Sequence, residues 1–484
     1  MRRRELLKAF GILPVWQVGR HSNTGLMTSP LPTGGGASTA SQLDPSKYDC
    51  YTNEWLRTRP DLVVYLPRKP VPTPHGWVGG GRDGDNEHFL VDFTPKGDLL
   101  AIWTQGTSES APDNRVVFAR STDEGKHWSA PSEIDGATKG PSLTASWGFP
   151  VTSRSGRIYC FYNKNINGAI DRGPTLTGAM RCKYSDDDGY TWQPGADIAM
   201  RRTRFDHPDQ NIHPNWVVWQ KPIRDSKGRV LVGFTRWSSR HWYKTENYGS
   251  QCELMRFDNI DEGPEPENIQ ITWLPKNEGT LQVARPPASE NLGGAARGGR
   301  VTFAAEEPGL ANLPDGRLFM TMRTFTGRIW YSVSEDDGES WRKPEVLRNQ
   351  DKGEEMLHPW SPCPLYGLKD GRFLLFYHNH DGYSYGGDGP RDHRARRPQF
   401  LALGEYRPRA YQPVWFSKPK LLFDSNGVGL GPAREVWLAM YASLTERDGH
   451  RIFWYPDRKF FLLGRHLTDE FLTDMSVPVS QSTQ

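Results

Sequence analysis

The octapeptide "STDEGKHW", Ser121 to Trp128, returns as "SDDDGYTW" from Ser185 to Trp192 and as "SEDDGESW" from Ser334 to Trp341. All three fit Ser-x-Asp-x-Gly-x-x-Trp, and each position has a turn-building reason. Ser opens the turn, Asp accepts hydrogen bonds from nearby backbone N–H groups, Gly supplies a positive φ, and Trp offers a large plate to bury. Asp123, Asp187 and Asp336 therefore read as architecture rather than chemistry.

A second pattern runs beside the first. "DFTPKGDLLAIW", "PVTSRSGRIYCFY", "PIRDSKGRVLVGF", "NLPDGRLFMTM", "YGLKDGRFLLFY" and "SLTERDGHRIFW" each set a turn dipeptide ending in glycine between two apolar runs. This is a strong hairpin signal. In three of these segments the octapeptide follows one strand later, so the repeating unit is hairpin, strand, polar turn and strand. That unit is a four-stranded antiparallel blade, and six of them predict an all-β, six-bladed β-propeller. "DLVVYLPR" near the start can add an outer strand that closes the ring against the last blade. The stretch 276–300 leaves room for a degenerate seventh.

Composition agrees with many short strands: 49 Gly and 38 Pro accompany 18 Trp, 18 Tyr and 21 Phe in 484 residues. With 60 basic against 57 acidic residues the net charge is only +3, which argues against a general nucleic-acid binder. No apolar run approaches the roughly 20 residues of a membrane span. The five cysteines show no CxxC spacing. Cys160 and Cys182 can be placed in one sheet, with buried free thiols the simpler reading. "MRRRELLKAFGILPVW" puts Arg3-Arg4 before a weakly apolar segment, the pattern of a bacterial twin-arginine export signal, and small residues up to Ala40 suit cleavage. The organisation expected is a signal and linker over 1–42 and one propeller over 43–484, exported to the periplasm or beyond and acting as a monomer.

The three octapeptides on a propeller resemble the Asp-box (BNR) repeats of the sialidase superfamily. The resemblance covers roughly residues 60 to 475 and is specific for fold more than for activity. It implies a Tyr nucleophile activated by a Glu, an Asp as acid/base, and three Arg that hold a substrate carboxylate. Tyrosine is a known exception to the two-carboxylate scheme of glycosidases and needs a nearby base. Carried onto this sequence, "AMYASLTERDG" implies Tyr441 as nucleophile. "EEPGLANLPDGRLFMTMR" implies Glu307 as its activator and Arg323 as a carboxylate ligand. "DHRARRPQFLALGEY" implies Arg397 as another ligand, with Arg394 and Arg396 as close rivals. Asp113 falls at about the acid/base place, and Arg236 in "GFTRW" ends a strand much as Arg323 does.

One departure stands out. Where the family carries its leading first-blade Arg, this chain has Glu87-His88. His88 then suggests an alternative, lyase or hydrolase cleavage of a uronic-acid glycan. A non-catalytic glycan-binding propeller is the third reading. The partner expected is an acidic oligosaccharide or polysaccharide. No cofactor is required, and polar blade starts are compatible with a structural calcium ion. His378, His380 and His393 invite a metal reading, but a carbohydrate-contacting loop explains them better.

Overall fold

The computed structural model describes residues 54–67, 71–73, 76–78, 82–136, 143–285, 301–438 and 441–479. The export-signal segment and Cys50 lie outside the described residues. All six turn glycines, Gly97, Gly156, Gly228, Gly316, Gly371 and Gly449, have positive φ, between 78° and 96°. Each joins the first two strands of a blade.

Six antiparallel blades follow. The first runs Asp85–Phe93, Leu99–Gly106, Arg115–Ser121 and Ser132–Gly136, and the second Ala145–Thr152, Ile158–Lys164, Ala179–Ser185 and Asp197–Ile198. The third is built on Asn215–Val218, Val230–Trp237, Gly249–Phe257 and Ile271–Leu274, the fourth on Glu306–Asn312, Leu318–Arg323, Trp330–Ser334 and Glu345–Val346. The fifth centres on Leu365–Gly367, Phe373–Tyr377 and Gln399–Tyr406. The sixth contains Ser443–Arg447, His450–Asp457 and Phe461–His466, and its outer strand is Leu62–Tyr65, paired antiparallel to Phe461–His466. The "DLVVYLPR" run thus closes the ring. Among the described residues 276–285 and 301–302 there is no seventh blade. The four described cysteines are buried and free.

Each octapeptide joins the third and fourth strands of its blade and bonds to itself as its composition requires. Gly189 N–H donates to Ser185 Oγ at 2.8 Å, and the Asp187 carboxylate accepts from Ser185 Oγ, Thr191 N–H and Thr191 Oγ1 at 2.7–2.8 Å. The tryptophans reach the preceding blade: Trp192 meets Phe118 edge-on at 5.5 Å and Trp128 meets Trp454 at 5.6 Å. The repeats are rivets between blades. Gly189→Ala should therefore destabilise strongly, because φ is +84° and an added Cβ would lie 2.4 Å from the Phe118 ring. We expect a loss of at least about 2 kcal/mol in denaturant unfolding. Gly156→Ala, at φ +96° but with open space around it, should cost only the backbone part, about 1 kcal/mol.

The inner strands position the site. In the first, second and fourth blades the innermost strand slips register between Glu87 and Leu90, Ser146 and Phe149, and Glu306 and Gly309. At each slip a residue other than glycine takes positive φ: His88 (54°), Trp147 (59°) and Glu307 (50°). Tyr441, at 67°, occupies the matching place two residues ahead of Ser443. A bulge re-aims one side chain, and such conformations persist only where the surroundings hold them. Here neighbouring blades do so. Trp147 N–H donates to Thr104 Oγ1 at 2.8 Å, and Glu307 N–H donates to Thr235 Oγ1 at 2.7 Å.

Candidate active site

Three of the four re-aimed residues, Trp147, Glu307 and Tyr441, line one cavity of about 340 Å³, at the lower end of the range for a small-ligand site. Arg323 enters it from the end of its strand, directly opposite Glu306 in the ladder. Its guanidinium is ion-paired with Glu307 and lies 3.4 Å from Glu306. Glu306 is fully engaged, accepting from the Trp237 and Trp360 indoles at 2.9 and 2.8 Å and from Ser250 Oγ at 2.9 Å. Burial pushes the Glu307 carboxyl up to about 8, against the pull of Arg323. Tyr441 lies against Trp219, ring centroids 4.1 Å apart. Burial raises its hydroxyl above the usual phenol range, with Lys459 the largest opposing charge.

The guanidinium groups of Arg323, Arg391 and Arg396 lie 4.2, 5.3 and 5.9 Å from the Trp360 ring. Arg396 is buried and donates through Nε to the Trp360 carbonyl at 3.1 Å. Among the described residues neither Arg391 nor Arg396 has a carboxylate partner. Burial, and then the like charge of Arg323, pulls Arg396 below its usual value. The Arg396 charge and burial also push the His393 imidazole, on the same wall, down to about 2, so it is neutral. Arg323 is answered by Glu306 and Glu307, but Arg391 and Arg396 beside it leave two like charges on the same indole open to an anion.

The histidines thought to contact carbohydrate divide. His378 and His380 are buried, with ring nitrogens 2.7 Å from the Pro398 carbonyl and 2.9 Å from the Arg397 carbonyl. They fasten the segment that presents Arg396. Among the described residues no His, Cys, Asp and Glu group is arranged to hold a metal ion.

The structure brings Tyr441, Glu307 and Arg323 together and places the other four expected residues elsewhere. Arg397 points away from the cavity into a two-pronged pair with Asp424, at 2.9 and 2.8 Å; its neighbour Arg396 is the one that lines the wall. Arg236 is buried between Glu253 (2.7 Å) and Asp206 (3.0 Å), a structural role. Asp113 ties down its own loop, accepting from Thr107 N–H and Oγ1 at 3.1 and 2.7 Å; Glu109 of that loop reaches the cavity instead. His88 is the fourth bulge residue but lies behind the wall, edge-on to Trp147 (5.6 Å) and Trp219 (6.3 Å). Burial pushes it down to about 3, and neither nitrogen has a hydrogen-bond partner among the described residues. It is neutral and does not line the cavity.

The least expected residue is Lys459. In "WYPDRKFF" the hairpin turn between His450–Asp457 and Phe461–His466 has Arg458 and Lys459 at its centre, with φ of 55° and 52°. Asn-Gly is the usual occupant of such a turn. Lys459 Nζ is buried 2.5 Å from Glu87 and 2.7 Å from Glu109, and 5.3 Å from the Tyr441 ring. Against some desolvation, Lys459, Arg396 and Arg323 together hold the partly exposed Glu109 carboxyl below its usual value. Glu87 is pushed up to about 7 by burial, opposed by Lys459.

Comparison with known proteins gives a consistent result. The family model described as "BNR repeat-like domain" matches residues 97–426. No curated protein matches the sequence. Among solved structures, the Hadza microbial sialidase Hz136 is similar at 15% identity and a TM-score of 0.53, over 82% of this chain and 67% of that one. The intramolecular trans-sialidase from Ruminococcus gnavus follows at 14% and 0.50, over 82% and 97%. The α-L-arabinanase of Penicillium chrysogenum, at 14% and 0.50, is covered over 98% of its length and 86% of this chain. At these identities the likeness is one of fold.

Proposed function

This chain belongs to the BNR repeat-like domain family and has the propeller of the sialidases, and we propose that it is a glycoside hydrolase releasing a terminal acidic sugar in a sialidase-like reaction. The observation that carries this reading is the convergence of Arg323, Arg391 and Arg396 on Trp360 in the cavity that also holds Tyr441 and Glu307. The arginines take the sugar carboxylate. Tyr441 Oη attacks the anomeric carbon as its proton passes to Glu307, which acts as base in its ionised form, paired with Arg323. Glu109 takes the acid/base place first given to Asp113. The arriving carboxylate adds negative charge and raises Glu109, which takes from solvent the proton it then gives to the leaving oxygen. Glu109 then draws a proton from the water that cleaves the tyrosyl–sugar bond, and Tyr441 regains its own from Glu307. No step needs a cofactor. Export through the twin-arginine-like segment, with action as a monomeric single propeller, belongs to the same proposal.

The test is product analysis by mass spectrometry and NMR on sialosides and uronic-acid oligosaccharides. A saturated free acidic sugar, released with retained anomeric configuration, is expected. Arg396→Gln should raise KM at least tenfold, whereas Arg397→Gln should stay within about twofold. An unsaturated uronate among the products would replace hydrolysis by elimination, and binding without any product would leave a lectin-like propeller.

A further inference from the structure

Arg172 also lines the cavity, from the second-blade loop between Ile158–Lys164 and Ala179–Ser185. It is held on every side but one. Its backbone N–H donates to Thr177 Oγ1 at 3.1 Å, its Nε donates to the Ser238 carbonyl at 2.7 Å, and its guanidinium lies 4.6 Å over the Tyr248 ring. The adjacent acid, Asp171, is committed elsewhere. Its carboxylate accepts from Arg240 N–H at 3.0 Å and from Asn215 Nδ2 at 2.7 Å. Among the described residues the outer edge of Arg172, Nη1 and Nη2, has no hydrogen-bond acceptor and no carboxylate partner. Burial pulls its pKa below the usual value.

A cation oriented this firmly, with the Glu306 and Asp171 carboxylates near but none in direct contact with its outer edge, has room for an arriving anion. The three arginines around Trp360 belong to the fourth and fifth blades. Arg172 stands apart from them: Glu306 is anchored between the two groups by Trp360 on one side and by Trp237 and Ser250 on the other. Tyr248, under Arg172, is two residues from Ser250. A planar fork with one free edge suits a carboxylate or a sulfate ester, both of which present paired oxygens.

We propose that Arg172, stacked on Tyr248, is a second anion subsite, and that the substrate class is a glycan carrying two acidic groups. This rests on the hydrolase reading for the first group. The second is an oxyanion elsewhere on the same or the adjoining sugar.

Two measurements separate the parts of the argument. Calorimetric titration of the full chain with inorganic sulfate should reveal two sites. Arg172→Gln should abolish one and Arg396→Gln the other, with thermal unfolding confirming that each variant is folded. Second, the ratio of kcat/KM for a doubly acidic over a singly acidic oligosaccharide should fall at least tenfold in Arg172→Gln, tenfold being about 1.4 kcal/mol. Arg172→Lys, which keeps the charge but loses the fork, should fall between. A sulfated and a carboxylated second residue, run side by side, identify the oxyanion. One sulfate site, or an unchanged ratio, overturns the subsite. If no acidic glycan is cleaved and both sulfate sites remain, the hydrolase reading fails while the anion site stands.

Discussion

Tyr441→Phe should lower kcat/KM on an acidic glycoside by about a thousandfold or more and leave KM within a few-fold, a loss near 4 kcal/mol of transition-state stabilisation. The expectation follows from what the substitution spares. Phenylalanine keeps the ring against Trp219 and edge-on to Trp147, at 4.1 and 6.1 Å, so the cavity wall and the Arg396 segment stay in place. Only the hydroxyl goes, and with it the atom that forms the covalent bond. Thermal unfolding should be unchanged or slightly higher, because a buried phenol is removed. Glu307→Gln should lose less, about a hundredfold, the typical contribution of a positioned base. It should also lower stability, because Arg323 would be left in the interior with Glu306 alone. Steady-state and single-turnover kinetics check both. If Tyr441→Phe keeps a tenth of the activity, the nucleophile is another group.

The fold was legible for a local reason. Gly at a hairpin turn and Asp in an octapeptide act on their own backbone within a few residues, so their meaning survives without tertiary context. The ring closure by Leu62–Tyr65 was legible too, because an unpaired apolar run must find an edge. The site was harder. Glu307, Tyr441 and Arg323 sit at strand ends in recognisable segments, and the cavity collects all three. Arg396 and Arg397 differ by one position in the loop between a 3-10 turn and the strand Gln399–Tyr406, where no side-chain period applies; no local pattern says which faces the cavity. Asp113 and Glu109 share a loop, where period carries no information. Arg236 looked like Arg323 because both end a second strand, but Asp206 and Glu253 arrive from outside that hairpin to neutralise it. Lys459 left one faint sign, a charged Asp-Arg-Lys between aromatic runs where glycine or asparagine would be ordinary.

That sign has the second large consequence. Lys459→Met should destabilise the protein by about 3–5 kcal/mol, the cost of stripping one partner from a buried ion pair. The loss should depend on pH in a direction the carboxylates fix. Glu87 is pushed up to about 7 even with Lys459 beside it, and without that ammonium it rises further. A carboxyl with a raised folded pKa favours the fold at pH below its unfolded value, about 4.5, and loses that advantage as pH rises through the folded value. The deficit of Lys459→Met should therefore be modest at pH 5, where Glu87 is protonated, and largest at pH 8. Adding Glu87→Gln removes the stranded charge, and the double variant should recover part of the stability and most of the pH independence. Urea unfolding at the two pH values checks this; equal deficits would mean that Glu87 does not titrate against Lys459. Activity answers a separate question, because Glu109 loses the partner that holds it at the cavity. The double variant should regain stability without regaining turnover, which places the contribution of Lys459 to catalysis in its contact with Glu109 rather than in the integrity of the sixth-blade turn.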